Sequence, residues 1–336
     1  MRVKLYVTRS KKMFPPNHTH NAYLIAYLKT LQSQFLDQND FDRMIEAKNT
    51  EEALHVLNET HYGQYLGDVK NNQDFDVVLN ESLQGVKDLI LKFFSRGKDL
   101  RFLWLKYDFL NLKSVVKLRF FQGGNAQLNS LGTIAPETLR DVILEGAEKE
   151  LPYELNEVIR EVLEAYEKRE DPQEIDLILD RKYIEVLVAE LAQIKSKILK
   201  DFLHREIDLF NVKTYFRVRG EEEREVDFIP GGLIPLQRFK ISDGDKFIKS
   251  IDDFEEQAEF KHLEEQVEKE GLLSLEQAHR RILSEILEKA QNKILGIEPV
   301  FAFWQAKVEE TKLIHKIMVM KNAGIKPPEI HRLIGG

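Results

Sequence analysis

The polar residues of this sequence that are best suited to chemistry recur at a constant spacing. In one copy of the pattern, Asp108 lies three positions before Asn111, and Arg119 lies eight positions after it. The acid of the pattern recurs at positions 108, 208 and 310, so the copies begin 100 and then 102 residues apart. The second copy contains Asp208, Asn211 and Arg219, and the looser third copy contains Glu310, Leu313 and Lys321. This regularity indicates that one supersecondary unit has been triplicated.

Helical periodicity predicts where these polar side chains lie. At 100° per residue, Asp108, Asn111 and Arg119 fall on or beside an apolar stripe, whereas Lys113 and Lys117 point away from it. The acid and the cation are separated by about 16 Å along the helix, so they cannot pair with each other. Because an unpaired charge on a packed face is costly, each needs a partner on another helix, another repeat or another protein.

We therefore predict two roles for the recurring polar residues. Those on the stripe form polar seams between repeats, and the outward cations contact partner proteins; the alternative is ordinary bundle contacts and solvated cations. A bulky aromatic residue nine positions before the reference residue of each copy indicates a shared aromatic scaffold. The seam set is Asp108, Asn111, Arg119, Asp208, Asn211, Arg219, Glu310 and Lys321, the contact set is Lys113, Lys117, Lys213 and Arg217, and the aromatic set is Phe102, Phe202 and Trp304.

No catalytic motif accompanies the repeated pattern. The sequence lacks a Walker-type phosphate loop and the motifs Gly-x-Gly-x-x-Gly, His-Glu-x-x-His and Gly-x-Ser-x-Gly. It contains no cysteine, which excludes disulfides and cysteine-based zinc sites or nucleophiles. His18 and His20 form the only closely spaced histidine pair, without a nearby third ligand. We expect no enzyme activity, cofactor or metal site; a helical hydrolase with a histidine and aspartate site is the remote alternative.

Composition predicts an all-α protein. The chain has 336 residues, of which 32% are charged, with only 10 prolines and 17 glycines, and this length allows two or three domains. A formal charge of −8 argues against a general nucleic-acid binder. No apolar run approaches the roughly 20 residues that cross a bilayer, so we expect no direct bilayer insertion.

Helix-breaking residues and charged runs predict that the chain has four segments. Residues 1–20 form a basic tail without the apolar core of a signal peptide, either frayed or touching lipid head groups. Three helical repeats follow at 21–125, 126–225 and 226–336. Prolines at 136 and 327 are predicted to start helices, and Pro172 is predicted to break the chain before a helical run from Tyr183. The acidic run at 221–225 is a linker or, alternatively, a contact to a basic partner.

Several short segments of the sequence resemble segments of the C subunit of the prokaryotic V-type and A-type ATPases. This subunit is the relative of the d subunit of the eukaryotic proton pump. The resemblance covers about residues 20–334, and the third copy departs from the family pattern of Asn and Arg, with Leu313 and His315 in their place. The similar segments are residues 60–66, 107–113, 206–213, 230–233 and 296–304, and the last of them is followed by Ala306 and Lys307.

This resemblance implies a fold and a function. The fold would be three similar helical bundles arranged with pseudo-threefold symmetry as a funnel. The protein would be a non-catalytic central-stalk rotor subunit on the cytoplasmic face of the membrane, peripheral through its complex. It would couple the shaft subunits to the membrane rotor ring and transmit torque for proton or sodium transport, or for ATP synthesis. The alternative is an all-helical interaction scaffold in a soluble complex, binding helical peptides in grooves between repeats.

Overall fold

The fold is all-α, as composition predicts. The computed structural model describes residues 19–68, 75–94, 97–121, 128–218, 228–240 and 283–334. Within these ranges the regular structure is helical, without a strand. Most of the basic tail and the acidic run at 221–225 lie outside the described residues.

The described helices are numbered here in chain order. They are α1 Thr19–Gln32, α2 Gln38–Glu46, α3 Thr50–Asn58, α4 Phe75–Phe93, α5 Leu105–Phe120, α6 Pro136–Leu144, α7 Leu155–Arg169, α8 Pro172–Ala192, α9 Lys197–Val218, α10 over 283–291, α11 Glu298–Asn322 and α12 Pro327–Ile334. Short 3-10 segments occupy His61–Asp68, Gly97–Leu103, Pro152–Glu154 and Leu236–Lys240. The three copies of the repeated pattern lie on α5, α9 and α11, called the organising helices below.

Proline starts three of these helices, which confirms the prediction for Pro136 and Pro327, whereas the break predicted at Pro172 is a helix start. Pro136, Pro172 and Pro327 are the first residues of α6, α8 and α12. Proline fits the first helical turn because its missing N–H would have no partner within the helix. Asp171 caps α8, since its carboxylate accepts a hydrogen bond from the backbone N–H of Gln173 at 2.9 Å. These local signals set the boundaries without tertiary contacts.

The organising helices meet through the predicted aromatic residues. The ring of Phe301 lies 6.1 Å from that of Phe102 and 4.9 Å from that of Phe202, measured between centroids. Trp304 packs edge-on against Trp104 at 6.0 Å. All of these side chains are buried in the largest apolar cluster. Aromatic residues of all three copies therefore share one core.

The last organising helix packs against the beginning of the chain. In one apolar cluster, Ile314, Ile317 and Met318 of α11 lie with Met44 of α2 and Leu57 of α3. Helix α11 also contacts α1 and α4, just as α5 contacts α8 in the middle of the chain. The segment that follows α10 thus returns to the N-terminal helices.

Candidate functional site: three polar clamps and a shared groove

Asp108 and Asn111 of α5 hold the loop that leads into α6, an arrangement called the first clamp. The Asp108 carboxylate accepts hydrogen bonds from the backbone N–H groups of Thr133 and Ile134, at 2.7 and 2.8 Å, and from the Thr133 hydroxyl at 2.7 Å. The Asn111 amide donates to the carbonyl of Asn129 and accepts from its N–H, at 2.7 and 2.8 Å. Two side chains therefore order about six residues of backbone.

Asp208 and Asn211 of α9 form the second clamp with the same geometry. Asp208 accepts from the N–H groups of Leu233 and Ile234 at 2.9 and 3.0 Å. Asn211 donates to the carbonyl of Ile229 and accepts from its N–H, at 2.8 and 2.9 Å. The aspartates reach 25 and 26 residues forward and the asparagines 18, as in the first clamp.

A glycine makes the close approach of loop and carboxylate possible in both clamps. A Cβ atom on Gly132 would collide with the Asp108 carboxylate, and one on Gly232 would collide with the Asp208 carboxylate. The two glycines are 100 residues apart, like the two aspartates. Glycine is required here for space rather than for an unusual φ angle.

Glu310 of α11 forms the third clamp, with a segment near the start of the described chain. Its carboxylate accepts from the backbone N–H of Leu36 at 2.7 Å and from the Tyr62 hydroxyl at 2.8 Å. Leu36 lies two positions before α2, as Ile134 lies two positions before α6. The third acid therefore contacts the entry to a helix, but one that lies 274 residues back along the chain.

A buried lysine that bonds directly to the acid distinguishes the third clamp. Lys307 Nζ donates to Glu310, Tyr62 and His61 Nε2 at 2.7, 2.8 and 2.6 Å. Because lysine only donates, His61 Nε2 must accept, so Nδ1 carries the proton and donates to the carbonyl of Gln34 at 2.8 Å. Desolvation lowers the pKa of Lys307 to about 8; desolvation and the Lys307 charge lower the pKa of His61 to about 4. Near neutral pH the lysine is charged and the histidine neutral.

Burial affects the two aspartates in the same direction. Desolvation raises the pKa of Asp208 to about 6, although two backbone N–H groups oppose the rise. Desolvation also raises the pKa of Asp108, where the Thr133 hydroxyl and the Lys87 ammonium act against it. Lys87 is itself buried and donates to the carbonyl of Gly132 at 2.7 Å. In both clamps, four hydrogen-bonding or charge interactions thus favour the ionised carboxylate.

The acids of the pattern hold the N-terminal entries of two short helices, α2 and α6, and the cations of the pattern bind the C-terminal ends of these helices. Arg119 donates to the carbonyl of Ile143, near the end of α6, and Lys321 donates to the carbonyl of Ala47, which follows α2. Cations are favourable at helix C-termini, where carbonyl groups lack intrahelical partners. Acid and cation therefore hold the two ends of a neighbouring nine-residue helix. Arg219, the cation of the second copy, lies outside the described residues.

The predicted contact lysines of α5 have carboxylate partners on α8. Lys113 Nζ lies 2.5 Å from Asp180, and Lys117 Nζ lies 3.0 Å from Asp176. Lys213 is half-buried on α9, and Arg217 belongs to the last turn of that helix. Contact of these cations with partner proteins stays a prediction, and so does the role of the seam residues in fixing the repeats against one another.

A groove follows both sides of α5 and is called the α5 groove. It contains cavities of about 270 and 200 Å³ that share the exposed side chains of Lys106 and Leu110. The other lining residues are Asp76, Leu79, Asn80 and Leu83 of α4, Tyr107, Phe109 and Lys113 of α5, Asp180 and Tyr183 of α8, and Val308, Thr311, Lys312, His315 and Lys316 of α11.

Charges from all three organising helices act on Lys106. This side chain is exposed but crowded by the walls of the groove, and desolvation and the neighbouring Lys312 lower its pKa to about 8. Glu206 of α9 and Glu309 of α11 act in the opposite direction. The two cavities themselves are lined by residues of α4, α5, α8 and α11.

Comparison with known families covers nearly the whole chain. Residues 24–333 match the family of ATP synthase (C/AC39) subunits. The chain belongs to this family. The C subunit of the A-type ATP synthase of Thermococcus onnurineus (strain NA1) is 24% identical over 345 aligned positions, covering 95% of this chain and 91% of the relative. The C subunit of the V-type sodium ATPase of Enterococcus hirae is 26% identical over 302 positions, covering 86% and 90%.

For this C/AC39 family member, sequence reasoning missed several residues of the clamps and the groove. Lys307 could have been found from its position one helical turn before Glu310, where an ion pair can form. The two clamp glycines, Gly132 and Gly232, could have been found because they share the 100-residue spacing of the acids. Lys106 carries no such signal, since its importance comes from neighbours on other helices.

The described part of this C/AC39 family chain offers no cluster of metal ligands and no membrane-spanning helix. Across those ranges, no group of three histidine, aspartate or glutamate side chains is placed to hold a metal ion. No described helix combines the length and the apolar character needed to cross a membrane.

Proposed function

We propose that this C/AC39 family chain is a non-catalytic rotor subunit of the central stalk of a V-type or A-type ATPase. It couples the shaft to the membrane rotor ring and transmits torque for proton or sodium transport, or for ATP synthesis in the reverse direction. Support comes from the family and from relatives named as the C subunits of an A-type ATP synthase and of a V-type sodium ATPase. The chain acts at the cytoplasmic face, held to the membrane by its complex.

The observation that carries this proposal is the α5 groove, which charges of all three organising helices reach. A concave site between helices of three similar units suits the end of a single shaft. We propose that the units surround this space with pseudo-threefold symmetry, as a funnel. The recurring clamps and the shared aromatic cluster support that arrangement.

Torque transmission requires a stiff body, and the clamps supply stiffness. Each acid fixes the entry to a neighbouring segment by hydrogen bonds to backbone groups, and the third clamp ties α11 to the N-terminal helices. Hydrogen bonds to charged groups contribute about 1.5–3 kcal/mol each. A twist applied at the groove is then resisted by backbone contacts rather than by side-chain packing alone.

Native mass spectrometry of the detergent-purified complex, isolated through a tag on this chain, tests the proposal. We expect one copy of the chain together with shaft and membrane-ring subunits. Removing the chain should abolish ATP-driven ion transport in proteoliposomes while the catalytic head retains ATP hydrolysis. A chain isolated only with soluble partners would instead favour the helical scaffold.

The seam and contact assignments require separate variants. We propose that Lys113 and Lys213 contact other subunits in addition to any partner within the chain. Reversal of both charges, Lys113→Glu with Lys213→Glu, should lower the yield of assembled complex at physiological salt. The matched variant Lys113→Arg with Lys213→Arg should assemble normally. Unchanged assembly of the reversed variant would limit these lysines to contacts within the chain.

A further inference from the structure

The α5 groove carries a group of lysines whose positive charge the chain itself matches only in part. Lys106 of α5 and Lys312 of α11 line the same cavity, and the Lys312 ammonium is one of the causes that lower the pKa of Lys106. Among the described residues, Lys106 has no carboxylate within ion-pair distance. Lys312 is paired with Glu309 at 2.5 Å, but both side chains are more than one-third exposed, and such pairs contribute little. Two ammonium groups in one crowded cavity therefore lack a strong counter-charge.

Two other cations of the groove have carboxylate partners, whereas Lys316, which lines the same cavity as Lys106, has no carboxylate within ion-pair distance among the described residues. His315 Nδ1 lies 2.7 Å from Asp76, and Lys113 Nζ lies 2.5 Å from Asp180. The carboxylates of these pairs lie on α4 and α8. The excess of positive charge thus lies in the cavity that Lys106, Lys312 and Lys316 line together.

An apolar surface lies beside this positive site. Leu110 stands one turn after Lys106 on α5, and its side chain is 46% exposed. The buried side chains of Leu79, Leu83 and Val308 line the same cavity. A ligand that fits this surface combines an anionic group with an adjacent apolar group.

We infer that the shaft segment that enters the α5 groove carries a carboxylate side chain that binds between Lys106 and Lys312, next to an apolar side chain that packs on Leu110. This inference rests on the proposed function, because it takes the shaft as the occupant of the groove. A carboxylate placed between two ammonium groups relieves their repulsion as well as forming two ion pairs. The contact fixes the rotational register of the shaft, since a charged pair in a crowded site has one favourable geometry.

Binding of the purified shaft subunits of the same ATPase to the full chain tests this inference. The dissociation constant is measured by calorimetry for the wild type and for Lys106→Glu with Lys312→Glu. We expect the double reversal to weaken binding by about tenfold or more, because it places like charges together. Lys106→Met with Lys312→Met, which adds no charge, should also weaken binding. The matched control is Lys289→Glu with Lys326→Glu, two exposed lysines outside the groove, and should bind as the wild type does.

The outcomes separate this inference from the proposed function. Weaker binding of both groove variants, with normal circular dichroism and normal binding of the control, supports the carboxylate contact. Binding of the groove variants at wild-type affinity overturns the contact and leaves the rotor function in place. If the wild-type chain does not bind the shaft subunits, the proposed function and the inference fail together.

Discussion

The first two clamps and the third perform one structural task with different chemistry. In the first two, an aspartate and an asparagine hold a loop that lies 18 to 26 residues further along the chain. In the third, a glutamate holds a segment 274 residues away, Leu313 replaces the asparagine, and Lys307 and Tyr62 supply additional hydrogen bonds. The repeated unit keeps the position of the acid, whereas the groups that surround it vary.

The difference coincides with the length of chain that each clamp closes. Closing a loop of 274 residues rather than 26 costs about 2 kcal/mol more in chain entropy. The contact that joins the two ends of the described fold is also the one that contains a buried ion pair. Stability of the third clamp should therefore depend on charge, and that of the other two on backbone fit.

The largest effect is expected from breaking the ion pair of the third clamp. Lys307→Met should lower the free energy of unfolding by about 3–5 kcal/mol, because Glu310 then stays buried without its counter-charge. Chemical denaturation measures the loss. Adding Glu310→Gln to Lys307→Met should restore part of the stability, since the neutral amide still accepts from Leu36. Lys312→Met, on the exposed face of the same helix, is the control, and an equal loss in this variant would contradict the prediction.

Steric fit is expected to dominate in the first and second clamps. Gly132→Ala and Gly232→Ala should each destabilise the protein by about 1–3 kcal/mol, because the added methyl group meets the carboxylate oxygen. Thermal and denaturant unfolding measure the effect. Gly67→Ala, where the added methyl group meets open space, should change stability little. Equal stability of all three variants would show that the loops move away at low cost.

The titration of Asp208 separates the second clamp from the third by its pH dependence. With a pKa of about 6 in the folded protein, against roughly 4 unfolded, the carboxyl binds more protons when folded. Its contribution to stability therefore rises as pH falls from 7 toward 4. The stability difference between wild type and Asp208→Asn should grow by about 1.3 kcal/mol between pH 7 and pH 5.

Asn211→Ala provides the matched control for this titration, because it weakens the same clamp without removing an ionisable group. The stability difference between wild type and Asn211→Ala should stay constant over the same pH range. A difference for Asp208→Asn that is also constant would place the pKa of Asp208 near its ordinary value.

The smallest effect is expected at the ion pairs between α5 and α8. Lys117 and Asp176 are 39% and 32% exposed, so Lys117→Ala should cost no more than about 1 kcal/mol. A double-mutant cycle with Asp176→Ala measures the coupling between them. Raising the salt concentration should reduce this coupling while leaving that of Lys307 and Glu310 largely unchanged. If Lys117 and Asp176 were coupled more strongly than Lys307 and Glu310, the predicted ranking of these two ion pairs would be wrong.

Much of the clamp geometry follows from spacing, but the partners of each clamp do not. Periodicity correctly places Asp108, Asn111 and their counterparts on a buried face and indicates that acid and cation need separate partners. It does not reveal that both partners are the ends of one short helix. That result depends on how closely the loop approaches α5, which the clamp glycine controls.

The amino-acid pattern alone is sufficient for the helical class, the helices that Pro136 and Pro327 start and the three recurring copies, because each depends on residues within a few turns of one another. Tertiary structure decides the return of α11 to the N-terminal helices, the pairing of Lys113 and Lys117 with α8, and the crowding of Lys106. These features join residues that are far apart in sequence, and a helical period specifies the face of a helix but not the element that covers it.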